Sequence, residues 1–171
     1  MKKITLFLAL IGMISLNSCT VNEDNGNNID NDTISAVIEI TTSFNSGNNF
    51  SRLVTINPAT FPSDMILVYR LSDVVNGTDV WQLIPQTYYL SGGDEVDYNY
   101  DFTINDVNIF MGANFDLNTL SSIWTQNQTF RIVIIPGYFT GKTSNPVDFK
   151  NYSAVIKAYN INPLNIKKIK V

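Results

Sequence analysis

Between Val96 and Ile104 the chain alternates without a slip. Val96, Tyr98, Tyr100, Phe102 and Ile104 fall on one side, and Asp97, Asn99, Asp101 and Thr103 on the other. Only an extended strand, whose side chains point to opposite faces in turn, gives such a pattern one apolar and one wet surface. The same grammar recurs along the chain. Ser35 to Phe44 places Ala36, Ile38, Ile40, Thr42 and Phe44 together, and Arg52–Ile56, Met65–Leu71, Val80–Ile84 and Thr87–Leu90 are short β-rich runs bounded by turn residues. Asn76-Gly77 is a hairpin signal, because both residues tolerate the positive φ of a type I′ turn. Pro85 breaks the run before Thr87, and Ser91-Gly92-Gly93-Asp94 makes another tight turn. Phe130 to Ile135 is almost continuously apolar, which predicts a central strand covered on both faces.

One segment departs from period two. Phe149, Tyr152, Val155, Ile156 and Tyr159 recur at three- and four-residue spacing, which predicts a short helix with Asp148 as its N-cap. A last strand or tail follows through Ile166–Val171. The expected fold is mainly β: an antiparallel β-sandwich-like single domain over 34–171 with one short C-terminal helix.

The N-terminus follows other rules. Lys2 and Lys3 precede a 13-residue run, Ile4 to Leu16, that is apolar except for Thr5, Gly12 and Ser15. A spanning helix needs about 20 residues, so 1–18 reads as a signal peptide. It ends in Leu16-Asn17-Ser18-Cys19, which resembles the lipobox of bacterial lipoproteins. The resemblance implies diacylglyceryl attachment to Cys19, cleavage before it and acylation of the new amine. Two or more acyl chains hold a protein firmly at a membrane where one does not. Residues 19–33, rich in Asn and Asp, cannot form a core and read as a tether. Glu23-Asp24 resembles the acidic export signal of surface-exposed Bacteroidota lipoproteins. Asp32-Thr33-Ile34 resembles the short O-glycosylation signal of exported proteins from that group, which makes Thr33 a candidate modification site. The implied location is the cell envelope, lipid-anchored at the outer membrane and facing either the periplasm or the cell surface.

Leu67-Val68-Tyr69-Arg70-Leu71, Trp81-Gln82-Leu83-Ile84-Pro85-Gln86-Thr87, Asn114-Phe115-Asp116-Leu117 and Phe130-Arg131-Ile132-Val133-Ile134-Ile135-Pro136 together resemble a group of small flavobacterial lipoproteins of unknown function. None of these motifs is catalytic.

The residue inventory excludes several chemistries. The chain has one cysteine and no histidine. Ser-His and Cys-His nucleophiles, redox disulfides and Cys/His zinc sites are therefore out of reach. Neither a G-x-G-x-x-G fingerprint nor a P-loop occurs, since Pro136 stands where Gly141-Lys142-Thr143 would need its upstream glycine. No cofactor is expected. Loss of Lys2 and Lys3 with the signal peptide leaves 9 basic against 15 acidic side chains, which disfavours nucleic acid.

Three features keep a functional reading open. Asp97–Asp101 mimics the start of a Ca²⁺ loop, although Phe102 occupies the place of the required glycine and the strand pattern explains the same residues. Asp94, Glu95, Asp97, Asp101 and Asp106 include enough carboxylates for glycoside hydrolysis, yet clusters beside a hairpin are usually solvated. Trp81, Tyr88 and Tyr89, with Tyr98 and Tyr100 nearby, offer an aromatic platform for sugar rings or ordinary core packing. The expected role is a non-enzymatic binding or structural module. Its partners would be the membrane, through Cys19, and either a glycan or an envelope protein.

Overall fold

The computed structural model describes residues 36–137, 146–162 and 164–170. Cys19, Thr33 and the segments 1–18 and 19–33 lie outside the described residues. Among the described residues nine strands form two sheets. β1 (Ala36–Thr42), β3 (Met65–Val75), β4 (Thr78–Leu83), β8 (Gln128–Ile135) and β9 (Ile166–Lys170) make a five-stranded sheet in the order β4-β3-β8-β1-β9. β2 (Ser51–Thr55), β5 (Gln86–Tyr89), β6 (Glu95–Phe102) and β7 (Asp106–Ala113) make a four-stranded sheet in the order β2-β7-β6-β5. Every pairing is antiparallel except β1 with β9, which run parallel. Among the described residues the α-helices are the single turn α1 (Ser122–Thr125) and α2 (Tyr152–Ala158). The fold is the mainly β, sandwich-like one that the alternating pattern predicts, with α2 as the short helix near the C-terminus.

The inner faces of the two sheets meet in one apolar layer. Ile38, Ile40, Ile66, Val68, Phe130, Ile132 and Ile134 come from the larger sheet, and Val54, Val96, Tyr98, Val107, Ile109 and Met111 from the smaller. β8 is buried on both sides, as its continuous apolar run predicts. Its odd-numbered residues Val133 and Ile135 join Val37, Leu67 and Tyr69 on the outer face, where Val155 of α2 and Ile161 cover them. The molecule is thus a sandwich with a third, partial layer.

Turn chemistry sets the connections. Asn76 and Gly77 adopt φ of 51° and 77°, the left-handed pair that a type I′ hairpin requires between β3 and β4. Three local details differ from the sequence-based expectation. The strand from Val96 ends at Phe102, so Phe102 and Ile104 stand half exposed beyond the core instead of within it. The N-cap of α2 is Asn151, whose side chain accepts from the Ala154 amide. Asp148 instead closes the preceding turn by accepting from the Lys150 amide. Finally, β7 is a full strand whose Asp, Asn and Gly residues, poor strand formers, masked the alternation of Val107, Ile109 and Met111.

Ile132 is fully buried in the middle of β8. Ile132→Ala should cost about 2–5 kcal/mol, the range for a large-to-small change in a packed core. Urea denaturation should show a lower midpoint at an unchanged slope. A loss below about 1 kcal/mol would mean that β8 is not the packed centre.

Candidate functional site

The aromatic residues singled out from the sequence do not share a surface. Tyr88 and Tyr89 are neighbours on β5 and therefore point to opposite faces. Tyr89 is exposed on the outside of the smaller sheet, whereas Tyr88 turns inward. Trp81 lies on the far side of the other sheet, packed with the outer-face cluster. Tyr98 is fully buried and Tyr100 is packed against the inner core.

Tyr88 joins an interior polar knot around Arg70. The Arg70 guanidinium is buried, and Nε and Nη2 both donate to Gln128 Oε1, at 3.0 and 2.7 Å. Nη1 donates to the Tyr88 hydroxyl, which itself donates to Gln82 Oε1. The guanidinium carbon sits 4.5 Å from the Tyr98 ring centre, 5.5 Å from Tyr88 and 5.8 Å from Trp124. Among the described residues no carboxylate pairs with Arg70. The charge is held by π faces and an amide dipole instead. Burial pushes the Tyr98 hydroxyl up to about 12 against the opposing pull of Arg70, so it stays a hydrogen-bond donor and gives its proton to the Trp124 carbonyl. This knot is a closed structural assembly.

An open site lies on the outer face of the larger sheet. One cross-strand row there runs Leu83, Tyr69, Arg131, Glu39, Lys168. Glu39 accepts from Arg131 Nε at 2.9 Å through one oxygen and from Lys168 Nζ at 2.9 Å through the other. The Arg131 guanidinium carbon sits over Trp81, 4.0 Å from the ring centre, and Arg131 donates to the Tyr152 hydroxyl at 3.1 Å. Tyr69 donates to the Phe149 carbonyl at 2.7 Å and so pins the approach to α2 onto the sheet. Burial raises the Tyr152 hydroxyl's pKa, although Arg131 opposes it.

Next to this stack, between β4 and the start of α2, is an open groove of about 410 Å³. Asp79, Val80 and Trp81 form one wall, and Asp148, Lys150, Asn151, Tyr152 and Ser153 the other. Arg131 Nη2 approaches Asp79 at 3.8 Å from beneath. A more apolar hollow of about 450 Å³ adjoins it along α2, lined by Tyr152, Ile156, Lys157 and Ile161 among others. The groove combines aromatic edges, two carboxylates, an ammonium and an amide on a backbone fixed by strand and cap. Such a wall can grip a ligand with both apolar and hydroxyl-bearing surfaces. Trp81 was legible in the sequence as a site residue. Its partners Asp79, Asp148 and Tyr152 were not, because they converge only when α2 docks on β4.

The carboxylates near β6 take structural positions. Asp97 to Asp101 lie in regular strand rather than in a loop, and Asp97 accepts from the Asn99 amide. Gly112 on the neighbouring strand leaves room for the Asp97 carboxylate, which would stand only 2.8 Å from an added Cβ. Asp106 accepts from the Thr103 hydroxyl at 2.8 Å.

Comparison with known proteins finds no matching family model, no match among curated proteins and none among solved structures.

Burial would raise the Glu39 pKa, but Lys168 and Arg131 outweigh it and hold the carboxyl below its ordinary 4.5. A folded-state pKa below the unfolded one gives stability that is present above pH 4.5 and lost as pH falls through the folded value. Glu39→Gln should therefore be less stable than the native protein at pH 7, and the gap should be smaller at pH 3 than at pH 7. Urea titrations of both proteins at the two pH values measure it. An unchanged gap would show that the Glu39 charge adds nothing.

Proposed function

We propose that the protein is a lipid-anchored envelope lipoprotein whose sandwich serves as a non-catalytic binding module, with the groove beside Trp81 as its ligand site. The observation that carries this reading is the groove's composition. Trp81 and Tyr152 offer apolar ring surface, while Asp79, Asp148, Asn151 and Ser153 offer acceptors and donors within the same 410 Å³. Saccharides have this dual character, with C–H faces that pack on rings and hydroxyls that bond to carboxylates and amides. An oligosaccharide segment is therefore the ligand class we favour. The charged stack beneath is already satisfied within the protein, so the wall does not need to rearrange before binding. The sequence offers no histidine and no second cysteine for nucleophilic or redox work.

The anchor belongs to the same reading. Leu16-Asn17-Ser18-Cys19 follows an apolar run too short to span a bilayer, and a polar tether then leads to the domain. Thr33, at the end of that tether, is the candidate glycan acceptor.

Mass spectrometry of the processed protein should find acyl chains on Cys19, and Cys19→Ala should block lipidation and leave unprocessed precursor or soluble protein. An unmodified Cys19 would remove the anchor. Native protein should also be heavier by a glycan than Thr33→Ala, and equal masses apart from the substitution would remove that modification.

For the groove, a glycan array probed with Cys19→Ala protein should give binders that Asp148→Ala weakens by about tenfold or more, the effect of losing a charge-assisted hydrogen bond. Binding that is indifferent to Asp148→Ala and Asp79→Ala would place the ligand elsewhere, and an empty array would reject a saccharide ligand.

A further inference from the structure

We propose that the end of the sandwich from which the chain leaves toward Cys19 is a lipid-seating face, with Phe61, Met65, Phe102 and Ile104 entering the interfacial layer of the anchoring membrane. The proposal rests on the lipid-anchor reading above, and it adds an orientation that the anchor alone does not give.

The strand register locates the chain's exit. Ala36 on β1 faces Ile134 on β8, and Ile134 faces Ile66 on β3, so these three residues form one row across the larger sheet. The Tyr100 hydroxyl donates to the Ile66 carbonyl at 3.0 Å, which brings the end of β6 to the same level. Thr60 donates to the Ile104 carbonyl through its amide at 2.8 Å and through its hydroxyl at 3.1 Å. The loop 57–64, the turn after β6 and the start of β3 therefore crowd around the point where the chain departs.

This crowd exposes apolar side chains, while the carboxylates among them, Asp64 and Asp106, are engaged in local hydrogen bonds. Phe61 is 52% exposed, Phe102 50%, Ile104 43% and Met65 38%. The stretch Asn57-Pro58-Ala59-Thr60-Phe61-Pro62-Ser63 contains no charged side chain. The loop is held in shape. Asp64 accepts from the Phe61 amide at 2.9 Å through Oδ2 and from the Gly137 amide at 3.1 Å through Oδ1. Phe102 stacks on Tyr100 with ring centres 6.3 Å apart. A preformed apolar prominence on a tethered domain meets lipid at little ordering cost.

The opposite end also exposes apolar side chains, namely Val74, Val75, Tyr89 and Ile123. Tether length decides between the two ends. Cys19 precedes Ala36 by 17 positions. A flexible chain of that length has an average end-to-end distance of about 23 Å. The 11-residue strand β3 spans about 36 Å at the usual strand rise. Seating the far end would stretch the tether along the whole domain, whereas seating the near end leaves it relaxed.

The test uses lipidated full-length protein in phosphatidylethanolamine/phosphatidylglycerol vesicles with brominated acyl chains. Two variants each add one tryptophan, Phe61→Trp at the near end and Tyr89→Trp at the far end. The emission added by Phe61→Trp should be largely lost in brominated vesicles, while that added by Tyr89→Trp should survive. Mass spectrometry of the Cys19 peptide is read on the same samples. An acylated Cys19 with Phe61→Trp unquenched, or with both variants quenched equally, overturns the seating face and leaves the anchor intact. An unacylated Cys19 overturns the anchor and the seating face together. A second copy is the rival occupant. Concentration-dependent dimers of Cys19→Ala that Phe61→Ser abolishes would assign the patch to self-association and overturn the proposal.

Discussion

The burial of β8 on both faces governs this architecture. A strand that reads Phe130-Arg131-Ile132-Val133-Ile134-Ile135 has apolar side chains in both directions, and a two-sheet sandwich shields only one of them. Phe130, Ile132 and Ile134 find the smaller sheet. Val133 and Ile135 need another cover, and the C-terminal segment supplies it through Val155 and Ile161. α2 is too short to be stable as an isolated helix. It persists because the outer face of β8 and its neighbours gives it a surface to bury. The groove proposed as the ligand site is a consequence of that docking, since one of its walls is the start of α2.

Two arginines handle the polar business of the two interfaces in parallel ways. Arg70 and Arg131 sit on adjacent strands, β3 and β8, one register position apart, and so point to opposite sides of the sheet. Each places its guanidinium over an aromatic ring: Arg70 over Tyr98, Arg131 over Trp81. A planar, weakly hydrated guanidinium suits this role far better than an ammonium would. The difference lies in the counter-charge. Arg131, near solvent, is paired with Glu39, whereas Arg70, deep inside, relies on Gln128 and ring faces. Removing water from a carboxylate as well as a guanidinium would have doubled the desolvation cost, and an amide acceptor avoids that. Among the described residues every buried side-chain nitrogen and oxygen has a partner.

Much of the fold was legible because strand burial writes itself in period two. The faces of β1 and of β6 up to Tyr100, the type I′ hairpin at Asn76-Gly77 and the doubly covered β8 all follow from local residue order. What escaped was set by tertiary context. β7 hid behind Asp106, Asn108 and Gly112, whose local preferences favour turns but whose wet face simply tolerates them. The parallel pairing of β9 with β1 joins the two ends of the domain, and no neighbouring residues encode that. The aromatic residues mark the limit most clearly. Composition identified Trp81, Tyr88 and Tyr89, but the pleat sends Tyr88 to the core, Tyr89 to solvent, and sheet membership separates both from Trp81. The groove that includes Trp81 depends on Asp148 and Tyr152, about seventy positions away in a segment that carries no site signature of its own.

The outer faces of the two sheets carry unequal charge. The described residues up to Gly137 contain three cationic side chains, Arg52, Arg70 and Arg131, and each is tied to a partner within the fold. Carboxylates therefore dominate the outer face of the smaller sheet, where Glu95, Asp97 and Asp101 line β6. On the outer face of the larger sheet stand Lys168 on β9 and Lys157 on α2, while Lys167 points to the opposite side of the β9 edge. β9 is an edge strand, and charge on an exposed edge discourages pairing with another chain. The same lysines bring positive charge to the sheet that carries the groove, while the carboxylate face repels an anionic surface. The groove itself opens on the outer layer beside α2, on the sheet opposite the carboxylate face of β6.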